Sequence, residues 1–203
     1  MRLLPSLILL ECVLAFALGC VPYGAQAVDT SRTPKATVSA TKRSTARYQV
    51  PDVNLTRSDG RNVSLRGELD DGRPVFLNFI FTSCEGICPL MSQTFAYLQT
   101  KLGAELIRVH MVSISIDPEE DTPPRLAEYA ERFHAGPQWQ HYTGTVDSSR
   151  AVQRAFGVYG GDKMNHDPVT FLRAGPASPW IRIDGFTTAD DLLREYHSLS
   201  GGR

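Results

Sequence analysis

Residues Val75 to Phe81 form an apolar run broken only by Asn78, and it is followed at once by Thr82-Ser83-Cys84-Glu85-Gly86-Ile87-Cys88-Pro89. A continuous apolar stretch of this length suits a central strand buried on both faces. Pro89 then fits the first turn of a helix, and Leu90, Met91, Phe95, Leu98 and Leu102 keep helical spacing until Gly103 ends it. A buried strand, two thiols and a helix start therefore meet within a dozen residues.

The rest of the chain repeats the alternation. Tyr48–Leu55 and Asn62–Leu65 read as an N-terminal β-hairpin around the turn Ser58-Asp59-Gly60. Leu106 to Ile116 is the next buried strand, and Asp121 or Thr122 caps a helix with Pro123 in its first turn. His141–Thr143 suits a short strand and Ser148–Phe156 a helix closed by Gly157. Val169–Leu172 and Trp180–Ile183 read as two strands, and Thr188 caps a last helix through Leu199. Strands alternating with helices predict an α/β fold, a central mixed sheet flanked by helices on both faces.

A chain of 203 residues can build one sizeable domain, and 42% hydrophobic with 21% charged residues is ordinary globular composition. The net charge of -1 and the lack of a basic stripe give no footprint for nucleic acid. Arg2, the apolar stretch Leu3–Leu18 and the small residues Ala25-Gln26-Ala27 resemble an export signal over residues 1–27, although Glu11 interrupts the apolar stretch. Cys20, after Ala17-Leu18-Gly19, is an alternative lipid attachment site, and an uncleaved anchor is a third possibility. Residues 28–47 lack aromatic residues and read as a flexible tether. The folded domain is expected over 48–203. Such a segment predicts a protein exported to the periplasmic side of the cytoplasmic membrane, anchored or secreted.

Cleavage after Ala27 removes Cys12 and Cys20 and leaves only Cys84 and Cys88. A structural staple is unattractive, because closing so short a loop removes little unfolded-chain entropy. Disulfide exchange and soft-metal binding remain. Cys88 lies close to the predicted helix start, where unpaired N–H groups favour a thiolate. A metal site needs a further donor, and the chain has five histidines. His110 falls inside a strand, His134 and His197 at surface helices, and His141 is ambiguous. His166, in a loop just before an apolar strand, is the best placed. Two cysteines and a histidine suit copper and can also hold zinc.

Two segments are more specific. Cys84-Glu85-Gly86-Ile87-Cys88-Pro89 and Ser115-Ile116-Asp117-Pro118-Glu119-Glu120-Asp121-Thr122-Pro123 resemble the C-x-x-x-C-P and S-x-D-P-x-x-D-T-P motifs of the Sco/SenC family. Trp139-Gln140-His141-Tyr142-Thr143-Gly144 is similar to a third family stretch. The resemblance covers Tyr48 to the C-terminus. It implies a thioredoxin-like fold, a copper ion bound by Cys84, Cys88 and His166, and Asp117 near that site. It also implies help in building the dinuclear copper centre of a respiratory oxidase, with a copper-receiving oxidase subunit or another thiol protein as partner and the membrane reached through the N-terminal segment. The chain departs from the family pattern in carrying Asn165 before His166 and Glu85-Gly86-Ile87 between the cysteines.

A second function stays open: a membrane-tethered thiol–disulfide oxidoreductase using Cys84 and Cys88 alone, with Cys84 as the attacking thiol. Pro168 stands where thioredoxins keep a cis proline, although a trans proline starting an edge strand is the commoner case. A peroxidase of related fold needs a cation beside one cysteine, and no suitable arginine is evident.

Overall fold

The structure, a computed structural model, describes residues 41–200. The export signal, the lipid site at Cys20 and most of the tether lie outside the described residues. In chain order the elements are β1 (Lys42–Ala46), β2 (Asn54–Arg57), β3 (Asn62–Ser64), α1 (Leu65–Leu69), β4 (Val75–Ile80), α2 (Ile87–Leu102), β5 (His110–Ser115), α3 (Pro123–Arg132), β6 (Trp139–Thr143), α4 (Val146–Ala155), β7 (Val169–Arg173), β8 (Trp180–Asp184) and α5 (Ala189–Ser200).

The strands make one eight-stranded sheet in the order β1-β8-β7-β4-β5-β6-β2-β3. Its centre, β4-β5-β6, is parallel, and the flanking pairs are antiparallel. Every residue of β4 and β5 is buried, as the apolar run requires. Successive side chains of β4 point to opposite faces. Phe76 and Ile80 join Phe95, Leu98, Tyr129, Trp139 and Tyr196 in one core under α2, α3 and α5. Val75, Leu77 and Phe79 join Leu65, Val152, Phe156 and Phe171 in the other, under α1 and α4. The expected mixed sheet with helices on both faces is therefore present.

Four expectations change. The strand read over Leu106 to Ile116 is shorter: Gly103–Arg108 is a 3-10 turn and β5 begins at His110. The stretch read as tether holds a strand: β1 runs antiparallel to β8 from Lys42 opposite Asp184 to Ala46 opposite Trp180. Backbone pairing needs no apolar side chain, so composition hid it. The sheet thus includes residues 42–46, ahead of Tyr48. Helix α2 starts at Ile87, so Cys88 lies inside its first turn, where Pro89 removes an N–H that has no helical partner. Strand β7 is interior, between β8 and β4, so Pro168 precedes a central strand and not an edge. The short helix α1 escaped sequence reading; Ser64 caps it by accepting from the Gly67 amide. Thr122, not Asp121, caps α3 by accepting from the Arg125 amide.

Candidate metal centre

The thiols sit where β4 hands over to α2. The turn between them is pinned from below by Asp121, which is fully buried. Thr82 donates to it through its amide (3.1 Å) and its hydroxyl (2.6 Å), and Ser115 at the end of β5 donates at 2.6 Å. Burial pushes the Asp121 carboxyl up, against the hydrogen bonds that lower it. One carboxylate thus ties together the ends of the two central strands beneath the thiols.

Above it, the Cys88 amide donates to the Cys84 sulfur at 3.4 Å, so the first turn of α2 is capped by sulfur instead of oxygen. Gly86 at the cap position offers no side chain for the task. The two cysteines are free thiols, Cys84 half-buried and Cys88 buried. Their acidities split. At Cys84 burial opposes ionisation, but the amides of Cys88, Gly86 and Ile87 outweigh it and lower the thiol below its ordinary value. At Cys88 burial dominates and pushes the thiol far above the ordinary range, with the charges of Cys84 and Asp121 adding to it. The sequence expectation that the helix start would favour a Cys88 thiolate is therefore reversed: the amides face Cys84, and Cys88 is too deeply enclosed to ionise.

His166 follows a short 3-10 turn, Lys163–Asn165, that Asp162 caps. Its ring is buried, with Nε2 3.2 Å from the Phe79 carbonyl oxygen. The β4–β7 ladder stops at Asn78 opposite Thr170, so that carbonyl lies just beyond it and the imidazole takes the place of a strand partner. Burial holds the imidazole below its ordinary value, so it is neutral at pH 7. With Nε2–H donated to the carbonyl, Nδ1 carries the lone pair.

The structure brings Cys84 and Cys88 together and leaves His166 apart from them. Among the described residues no three His, Cys, Asp or Glu side chains lie close enough to hold a metal ion. The other histidines lie elsewhere in the fold. His110 contacts the Glu68 carbonyl (3.0 Å) and the Tyr142 hydroxyl (3.3 Å). His141 is buried between Trp139 and Tyr129 with neither ring nitrogen hydrogen-bonded, and burial lowers its imidazole to about 3. His134 turns the chain after α3 with φ 53°, and exposed His197 meets Glu105 at 3.1 Å.

Asp117 belongs to the turn after β5. Its carbonyl accepts from the Glu120 and Asp121 amides, and its carboxylate pairs with Lys163 at 2.5 Å. Lys163 was not singled out in the sequence, because nothing local marks a loop lysine whose partner lies on another strand end. A cleft of about 360 Å³ opens beside this pair, bordered by Ile116, Asp117, Ser149, Gln153, Lys163 and His166.

A mixed sheet covered on both faces, with a dithiol at the start of the helix after its central strand, defines a thioredoxin-like domain. Residues 41–198 match the SCO1/SenC family model, and the chain belongs to that family. It is 41% identical over 164 residues to the SCO1 protein homolog of Bacillus subtilis (strain 168), covering 75% of this chain and 83% of that one. To Protein SCO1 homolog 1, mitochondrial, of Arabidopsis thaliana it is 31% identical over 110 residues, 52% of this chain but only 31% of that longer protein. Among solved structures, BsSco, a member of the Sco family of cytochrome c oxidase assembly proteins in which a disulfide switch was identified, is similar at TM-score 0.65 and 28% identity, covering 79% of this chain and 98% of BsSco. Arabidopsis thaliana ScoI with copper bound is similar at TM-score 0.63 and 26% identity, covering 76% and 99%.

Proposed function

We propose that this protein captures a copper ion on Cys84, Cys88 and His166 and hands it to a copper-receiving subunit of a respiratory oxidase. The observation that carries the reading is the sulfur pair: a thiol held below its ordinary value beside a second, protonated one. Soft sulfur donors are the chemistry copper prefers. Copper is cargo here, so the site has to release it as well as bind it. Cys84 presents the thiolate. Cys88 loses its proton only when a cation offsets the cost of burying the charge. His166 leaves the Phe79 carbonyl to complete the set. The copper-bound relative and the oxidase-assembly relative support this reading. On the same reading residues 1–27 export the chain, the segment up to about residue 41 tethers it, and the domain works outside the cytoplasmic membrane.

Copper titration of the reduced domain tests it. One copper per chain is expected, with a sulfur-to-copper charge-transfer band. His166→Ala should weaken binding at least about tenfold, the range seen when the groups that shape a metal site are removed. Unchanged affinity in that variant refutes the three-donor site.

A second reading has its own support in the split acidities. The Cys84 thiolate can attack a client disulfide, forming a mixed disulfide and releasing one client thiolate. Cys88 then displaces the second client sulfur, leaving a Cys84–Cys88 disulfide and a reduced client. In this case His166→Ala keeps full reductase activity on an oxidised copper-receiving protein, while Cys84→Ser loses it.

A further inference from the structure

His166 stays apart from the thiols because its loop is held, and the hold is narrow. Lys163 opens the 3-10 turn that His166 follows, and the His166 amide donates to the Lys163 carbonyl at 3.3 Å, so the two residues move together. The turn is closed mainly on itself, through Asp162 to the Met164 and Asn165 amides. It lies over hollows on both sides: the 360 Å³ cleft and a second of about 150 Å³ bordered by Gly157, Tyr159, Asn165 and Arg182, with His166 facing each. Gly160 and Gly161 (φ +80°) lead into it and give the backbone room to hinge.

Against this loose turn stands a fixed wall. Asp117 is buried, its amide donates to Ser115 Oγ at 3.0 Å, and its carbonyl takes two further amides. Lys163 reaches it at 2.5 Å and passes 5.7 Å from the centre of the Phe81 ring, at the end of the strand that delivers the thiols. Among the described residues, the hydrogen bonds, ion pairs and ring contacts from residues 159–166 to other parts of the fold are this pair, Lys163 over the Phe81 ring, the His166–Phe79 bond and Arg154 over Tyr159.

We propose that Lys163 is a positioning residue: its ion pair with Asp117 latches the loop so that His166 rests on the Phe79 carbonyl, and copper capture waits on the release of that latch. The proposal rests on the three-donor reading above. An ion pair whose lysine is open to solvent and whose carboxylate is buried biases such an equilibrium by about three- to fivefold. Lys163→Gln and Asp117→Asn each break the pair without emptying space. They change local charge in opposite directions, so plain attraction of a cation predicts faster capture in the first variant and slower in the second.

The test is stopped-flow capture of copper by the reduced domain, paired with amide hydrogen exchange of residues 160–166 in the copper-free protein. Both single variants should capture copper about three- to fivefold faster, the double variant should be no faster than either, and exchange should rise by a similar factor. Opposite effects of the two variants on capture, or exchange that stays at the wild-type rate, overturn the latch. Failure of the three-donor reading shows elsewhere, as undiminished copper affinity in His166→Ala with the latch intact. The exchange arm involves no copper and reports on the latch alone.

Discussion

The clearest consequence of the site is that its two thiols, four positions apart, should react at very different rates. Cys88 is 0% exposed, and burial holds it protonated far above the ordinary thiol range. Cys84 is half-buried, and the amides that meet its sulfur hold it below the ordinary value. At pH 7 each unit by which two thiol pKa values differ is a tenfold difference in thiolate, and here the two thiols are shifted in opposite directions. The more acidic thiolate is the weaker nucleophile, which takes back a little under half of that gap in logarithmic terms. About a threefold preference for Cys84 remains for each such unit, before steric protection of Cys88 is counted. The assay is iodoacetamide labelling of the reduced, copper-free domain, with quenching, proteolysis and mass analysis. Cys84 should label first, with a pH midpoint below that of a free thiol. Cys88 should label only once urea unfolds the chain. Comparable rates in the folded protein, or a Cys84 midpoint at or above the free-thiol value, would show that the amides do not stabilise the Cys84 thiolate as described.

Further outcomes follow from the same contacts. Because the Cys88 thiol is raised in the folded state, the stability it contributes is complete below the ordinary thiol value and is lost as pH rises toward its own. Wild-type stability to urea should therefore fall between about pH 9 and 10, below the range where buried Tyr129 and Tyr142 add their own loss, by up to about 1.4 kcal/mol per pH unit, and Cys88→Ala should flatten that slope. Asp121→Ala strands the Thr82 amide and two hydroxyls in a buried place and should cost about 3–5 kcal/mol in urea unfolding; a cost under about 1 kcal/mol would show that the carboxylate is not the tie between β4 and β5. A chain beginning at Tyr48 loses β1, which leaves β8 an open edge and removes the Arg43–Glu195 pair. Its melting temperature should drop by about 5–10 °C and it should aggregate more readily; an unchanged melting curve would mean that β1 contributes nothing to the domain.

Much of the architecture was legible because it is written in local patterns. The apolar run of β4, the helical spacing from Met91 to Leu102 and the Thr122-Pro123 helix start each state their own element, and the alternation of strands and helices then implies a sheet covered on both faces. The close thiol pair was legible from its spacing, although Cys84 lies ahead of the helix that begins at Ile87 and meets Cys88 through its backbone amide. What the chain order could not state were properties that depend on partners far along it. Strand β1 exists because β8 offers a free edge, and its own polar residues gave no sign of it. Helix position alone suggested an acidic Cys88, whereas depth of burial decided that Cys84 carries the easier charge. The resting place of His166 on the Phe79 carbonyl, and the Lys163–Asp117 pair beside it, join segments that only the folded sheet brings together. Backbone pairing and desolvation are set by what surrounds a group in space, which neighbouring letters do not record.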